Sequence, residues 1–117
     1  MRKPTLQFLQ KPSCTSCRKA KAFLEKHGAR LELRSLNEQR LTEQELDELI
    51  GDRDYLGFLS TRNELYRARN MKEHPPSRQE AIRLMAATPN LIRRPVVIRG
   101  NRVVQGYDAA AYLDLLK

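Results

Sequence analysis

Apolar positions along the chain switch between two periods, and the switches lay out its elements. Thr5 to Leu9 reads as a short strand, and Arg18 to Lys26, built from strong helix formers with Ala20, Ala22, Phe23 and Leu24 apolar, reads as a helix. Gly28 supplies a helix stop. From Arg30 to Arg34, apolar Leu31 and Leu33 alternate with charged Arg30, Glu32 and Arg34, which predicts a second strand. A strand-helix-strand unit makes its two strands parallel, with the helix as a right-handed crossover.

The middle of the chain is helical. Thr42-Glu43-Gln44-Glu45 is a capping-box pattern that opens a helix through Leu46, Leu49 and Ile50 to a stop at Gly51. Tyr55 to Leu59 is apolar without a clear period and is assigned as a loop or short turn. Ser60-Thr61-Arg62-Asn63 starts another helical stretch, broken by Pro75-Pro76. Ser77-Arg78-Gln79-Glu80 is a second capping-box pattern, leading into Ala81, Ile82, Leu84, Met85 and Ala86, with Pro89 just after the expected stop. Arg94 to Ile98, Gly100-Asn101 and Val103-Val104 read as a β-hairpin, and Asp108 is placed to cap a last helix, Ala109 to Leu116.

Length and charge narrow the class. At 117 residues, with 40% hydrophobic and 31% charged positions, the chain suits one domain, 1-117, with a helical insertion at about 40-90. No apolar run approaches a membrane span, and the chain opens Met-Arg-Lys-Pro-Thr without an apolar signal segment, so a cytoplasmic protein is expected. The formal net charge of +8 favours anionic partners. Direct nucleic-acid binding is not expected, because Trp is absent and no basic block is dense enough for a nucleic-acid arm. A monomer without membrane contact is expected.

The chemistry lies in Cys14-Thr15-Ser16-Cys17, which holds the only two cysteines where a strand gives way to a helix. At a helix start the backbone N–H groups lack intrahelical partners and the macrodipole is positive, so a Cys14 thiolate is stabilised; Arg18 and Lys19 push the same way. Cys17, one turn on, is placed to attack a mixed disulfide formed at Cys14. Two other readings stand beside this one. A zinc site needs two more ligands, for which only His27 and His74 are available, without ligand spacing. A permanent disulfide suits a secreted domain.

The order strand-helix-strand, helical insertion, strand-strand-helix, with a Cys-x-x-Cys at the first helix, is the thioredoxin-like α/β arrangement, here with a mixed four-stranded sheet. In that fold a proline, usually cis, precedes the third strand opposite the cysteines, and Pro95 is the candidate. An oxyanion beside a thiolate needs cationic planar donors. Arg62 and the pair Arg93-Arg94 before Pro95 are the candidates.

Four stretches, Pro12 to Ala20, Leu59 to Arg62, Leu91 to Ile98 and Arg102 to Tyr107, resemble the ArsC/Spx family over nearly the whole chain, in that family's order. The family holds glutaredoxin-coupled arsenate reductases and redox-sensing transcriptional regulators of the Spx type, on a thioredoxin-like fold with a helical insertion. The resemblance implies that Cys14 is the nucleophile and that Arg62 and Arg94 bind an oxyanion.

Two departures lean toward the regulators. Arsenate reductases of the family usually carry a single cysteine followed by Gly-Thr-Ser, and a third arginine after the final strand, where this chain has Gln105-Gly106-Tyr107. Against the regulators, an ungapped match places Asp54, flanked by Gly51 and Gly57 in a shorter loop, where Spx has a glycine used to dock on the RNA polymerase α subunit. Two expectations follow. One is an enzyme with Cys14 as thiolate nucleophile, Cys17 resolving and arginines holding an oxyanion, recharged by thioredoxin, glutaredoxin or glutathione, with no metal, flavin or other cofactor. The other is a regulator in which a Cys14–Cys17 disulfide switches binding to RNA polymerase.

Overall fold

The structure is a computed structural model that describes residues 3–117. The chain divides into two compact units, Met1–Leu36 with Arg94–Lys117, and Asn37–Arg93.

The first unit is built on a four-stranded sheet of order β2-β1-β3-β4, formed by β1 (Thr5–Gln10), β2 (Arg30–Ser35), β3 (Val96–Arg99) and β4 (Arg102–Gln105). β1 runs parallel to β2, with Phe8 opposite Leu33, and antiparallel to β3, with Phe8 opposite Val97. β3 and β4 form the expected hairpin, closed by the Arg99–Arg102 pair around Gly100-Asn101. The sheet is therefore mixed. Alternation along β1 buries Leu6 and Phe8 and exposes Thr5 and Gln7. Leu6 and Phe8 share one core with Cys17, Ala20 and Leu24 of α1 (Thr15–Lys26) and Tyr112 and Leu115 of α5 (Ala109–Leu115).

Helix α1 starts earlier than the spacing of its apolar residues suggests, because Cys14 itself is the N-cap residue, with extended backbone (φ −77°, ψ 124°). It ends where Gly28 takes φ +87° and lets the Ala29 N–H reach back to Leu24 O at 3.0 Å. α5 is capped as expected by Asp108, whose carboxylate accepts the Ala111 N–H at 3.0 Å. Its C-terminal end is held by two hairpin arginines: Arg99 donates to Leu115 O at 2.8 Å and Arg102 to the same oxygen at 3.0 Å. Cations there also complement the helix dipole.

The second unit holds α2 (Glu43–Ile50), α3 (Glu64–Ala68) and α4 (Arg78–Ala87), with 3-10 turns at Tyr55–Phe58 and Pro89–Leu91. The Thr42/Glu45 capping box forms in both directions, at 3.0 Å each way. The Ser77 pattern forms only half. Ser77 Oγ accepts the Glu80 N–H at 3.2 Å, but the Glu80 carboxylate pairs with Arg83 and Arg69 instead of turning back. Charge-assisted bonds to guanidinium outcompete a neutral backbone donor. The stretch after Asn63 also differs from expectation. α3 spans one turn and stops at Ala68, well before Pro75, because Asn70 adopts φ 50° and Met71 N–H closes on Tyr66 O at 3.0 Å. Asparagine tolerates that left-handed conformation better than most residues.

Candidate active site

The loop Lys11-Pro12-Ser13 delivers Cys14 from β1 to the start of α1, and the turn is closed by Cys14 N–H donating to Lys11 O at 2.9 Å. Both cysteines are free thiols. Cys14 is half-buried, whereas Cys17 is 0% exposed in the core beneath it. The helix start thus separates an accessible thiol from a buried one within one turn.

Their ionisations move in opposite directions. Burial pushes the Cys14 thiol up, but it is outweighed: the Cys17 N–H, a hydrogen bond from the Cys17 thiol, the Arg94 charge and the Ser16 N–H together hold it below the usual thiol value. Ser16 and Cys17 are the second and third residues of α1, the first-turn donors that a helix leaves unpaired. The geometry falls short of a full capping hydrogen bond to the Cys14 side chain, and the first-turn donors act chiefly on its charged form. Cys17 is pushed up to about 12, first by burial, with its hydrogen bond to Cys14 and the neighbouring negative charge adding to it. The Lys11 N–H and Arg94 oppose that rise.

Arg94 acts on both sulfurs from the far end of the chain. It is half-buried with its Nε enclosed, and the Arg94–Pro95 peptide is cis. Pro95 is tied down by the Gly106 N–H, which donates to Pro95 O at 2.8 Å, and the Gly106 carbonyl in turn accepts the Tyr112 hydroxyl at 2.5 Å. Gly106 takes φ +74°, a conformation that suits glycine and lets one residue serve both contacts. The Tyr112 phenol is pushed up by burial and then by the negative charge of Cys17. It stays a hydrogen-bond donor under the cysteine pair.

Of the residues singled out in the sequence, the structure brings together Cys14, Cys17 and Arg94 in the first unit. Arg62 is exposed in the turn before α3, in the second unit. Arg93 also belongs to the second unit and is exposed, with its N–H donating to Phe58 O at 2.7 Å. Arg18 and Lys19 are exposed, so water screens them, and the guanidinium that acts on Cys14 is that of Arg94. His27 stacks on Phe23 with ring centroids 4.2 Å apart. Among the described residues no group of three or more His, Cys, Asp or Glu side chains could hold a metal ion. Sequence reasoning missed Tyr112 and Gly106. A lone aromatic in a capped helix signals a core anchor, but nothing local says that it anchors the floor of the cysteine site.

With this geometry in place, comparisons with known proteins are informative. A family model described as ArsC family matches residues 9–115. The global transcriptional regulator Spx of Streptococcus pneumoniae is 34% identical over 99 residues, covering 83% of this chain and 74% of that protein. Among solved structures, an ArsC family related protein of Bacteroides fragilis superposes with a TM-score of 0.85 at 26% identity, covering 95% of this chain and 98% of that one. A protein of Streptococcus mutans described as a possible arsenate reductase gives 0.78 at 29% identity, covering 93% and 97%.

Proposed function

The chain belongs to the ArsC family, and from that premise we propose that it is a thiol-disulfide redox protein with Cys14 as nucleophile and Cys17 as resolving thiol. The observation that carries this reading is the contrast between the two thiols: an accessible Cys14 held low and a fully buried Cys17 pushed up to about 12.

The steps balance with a disulfide as oxidant. The Cys14 thiolate attacks one sulfur of the substrate, the new S–S bond forms to Cys14, and the other sulfur leaves as a thiolate that takes the Cys17 proton. Cys17 then attacks the Cys14 sulfur, forming the Cys14–Cys17 disulfide and expelling the second thiolate. Two causes of the high Cys17 value are its hydrogen bond to Cys14 and the Cys14 charge. Both vanish once Cys14 is bonded, so Cys17 becomes easier to ionise at the moment it is needed. An external dithiol of the thioredoxin or glutaredoxin type, or glutathione, returns the pair to its reduced form. Arg94, beside Cys14, supplies positive charge for an oxyanion substrate; Arg62 as a second anion ligand rests on the family resemblance.

A regulatory reading has its own support in the likeness to a protein named as a transcriptional regulator and in the Cys-x-x-Cys. There the same disulfide is a switch that alters binding to RNA polymerase. Asp54, at the position of the docking glycine, has φ −69° and uses its carboxylate to accept the Leu56 N–H at 3.0 Å. Its backbone therefore needs no glycine.

The deciding experiment oxidises the reduced protein mildly and follows intact mass. Loss of two hydrogens as one Cys14–Cys17 bridge is the expected result; stoichiometric zinc on the reduced protein, or intermolecular bridges alone, overturns the proposal. Arsenate-dependent oxidation against redox-dependent capture of RNA polymerase then separates enzyme from regulator.

A further inference from the structure

The second unit contains a concavity of its own. A cavity of about 490 Å³ is lined by Thr61, Tyr66, Arg67, Asn70 and Lys72. These residues come from the turn before α3, from α3, and from the left-handed closure at Asn70 that follows it. Because the chain reverses there, residues on both sides of the turn line one space.

Its charge differs from that of two other cavities in the same unit. One is lined by Asp47, Arg78, Glu80 and Arg83, and its guanidinium groups are already paired, Arg78 with Asp47 and Arg83 with Glu80. In another, Arg69 is paired with Glu80. Among the described residues, the lining of the Tyr66 cavity has two cations, Arg67 and Lys72, and no carboxylate. Among the described residues neither cation makes an ion pair. Uncompensated cations around a concave space attract an anion.

We infer that this cavity binds a small organic phosphate carrying a planar ring, of the nucleoside monophosphate class. Arg67 and Lys72 hold the phosphate through charge-assisted hydrogen bonds, Tyr66 offers a ring face, and the Thr61 hydroxyl and Asn70 amide bond the remaining polar groups. The volume lies in the range of small-molecule sites. A polymer would need a row of cations spaced along its phosphates, whereas the lining here converges on one space. The site uses no thiol and stands independently of the redox reading.

Calorimetric titration of the full chain with adenosine monophosphate, inorganic phosphate and a short DNA duplex tests this, with thermal melting to confirm that each variant folds. The nucleotide should bind more tightly than phosphate. Arg67→Ala should weaken both by about tenfold or more. Tyr66→Leu should weaken the nucleotide and leave phosphate unchanged, while Tyr66→Phe, which keeps the ring, retains the nucleotide. Absence of nucleotide binding at millimolar concentration, or binding insensitive to Arg67→Ala, overturns the proposal. So does a duplex bound more tightly than the nucleotide, lost in Arg67→Ala but indifferent to Tyr66→Leu, which marks the cations as a nucleic-acid face.

Discussion

The Cys14 sulfur takes a hydrogen bond from the Cys17 thiol, and that contact lowers one ionisation while raising the other. The two thiols of one helical turn therefore differ in acidity before any partner arrives.

Alkylation should expose this asymmetry. At mildly acidic pH, iodoacetamide is expected to label Cys14 well ahead of Cys17, read by peptide mass spectrometry. Cys17→Ala removes the thiol donor and should slow Cys14 alkylation at the same pH. Equal labelling of both thiols in the native chain would contradict the assignment.

Arg94→Ala should raise the Cys14 pKa and slow its reaction with an anionic electrophile by about tenfold more than with a neutral one, since the lost charge acted on both thiolate and incoming anion. Arg93→Ala should do much less. Stopped-flow rates with a charged and an uncharged disulfide reagent make the comparison, and indistinguishable effects of the two substitutions would remove the anion role of Arg94.

Alkaline pH should destabilise the fold. The ordinary thiol value is 9.0 and the folded Cys17 lies at about 12, so between them the unfolded chain releases a proton that the native state keeps. Stability therefore falls as pH rises through that window. The raised Tyr112 phenol acts with the same sign. For Cys14 the sign is opposite: its lowered value contributes stability above the unfolded value, lost as pH falls through the folded one. Urea midpoints between about pH 8 and 10.5 should drop, and Cys17→Ala should flatten that drop. A steeper slope in the variant would refute it.

Tyr112→Phe leaves the Gly106 carbonyl without its buried hydroxyl partner and should cost about 1–3 kcal/mol in denaturant unfolding. Because the same glycine ties down Pro95, beside Arg94, the variant should also slow Cys14 alkylation. Destabilisation with an unchanged alkylation rate would confine Tyr112 to a packing role.

In the second unit, Thr42→Ala removes the side-chain oxygen that accepts the Glu45 N–H, while the backbone N–H at position 42 can still donate to the Glu45 carboxylate, and should cost about 1 kcal/mol. Ser77→Ala loses the equivalent acceptor, that of the Glu80 N–H, and should cost a similar amount. Chemical denaturation curves should place both variants below the parent, and an unchanged midpoint would contradict the capping role of the residue replaced.

Much of this architecture is written in local pattern. The alternation from Arg30 to Arg34, the helix formers after Cys14, Asp108 ahead of α5 and the Gly100-Asn101 turn all act through neighbours a few residues apart, so periodicity and capping chemistry reveal them. The position of Cys14 at a helix start is legible for the same reason. What the sequence left open depends on competition or distance. Whether Glu80 turns back to Ser77 was decided by Arg69 and Arg83, and how far α3 runs was decided by the backbone turn at Asn70. Around the cysteines, Arg94 and Tyr112 lie some eighty and ninety-five positions further along the chain. Only the pairing of β1 with β3 and the shared core of α1 and α5 bring them to the sulfurs, because charge and burial at a thiol depend on what surrounds it in space, whatever the separation along the chain.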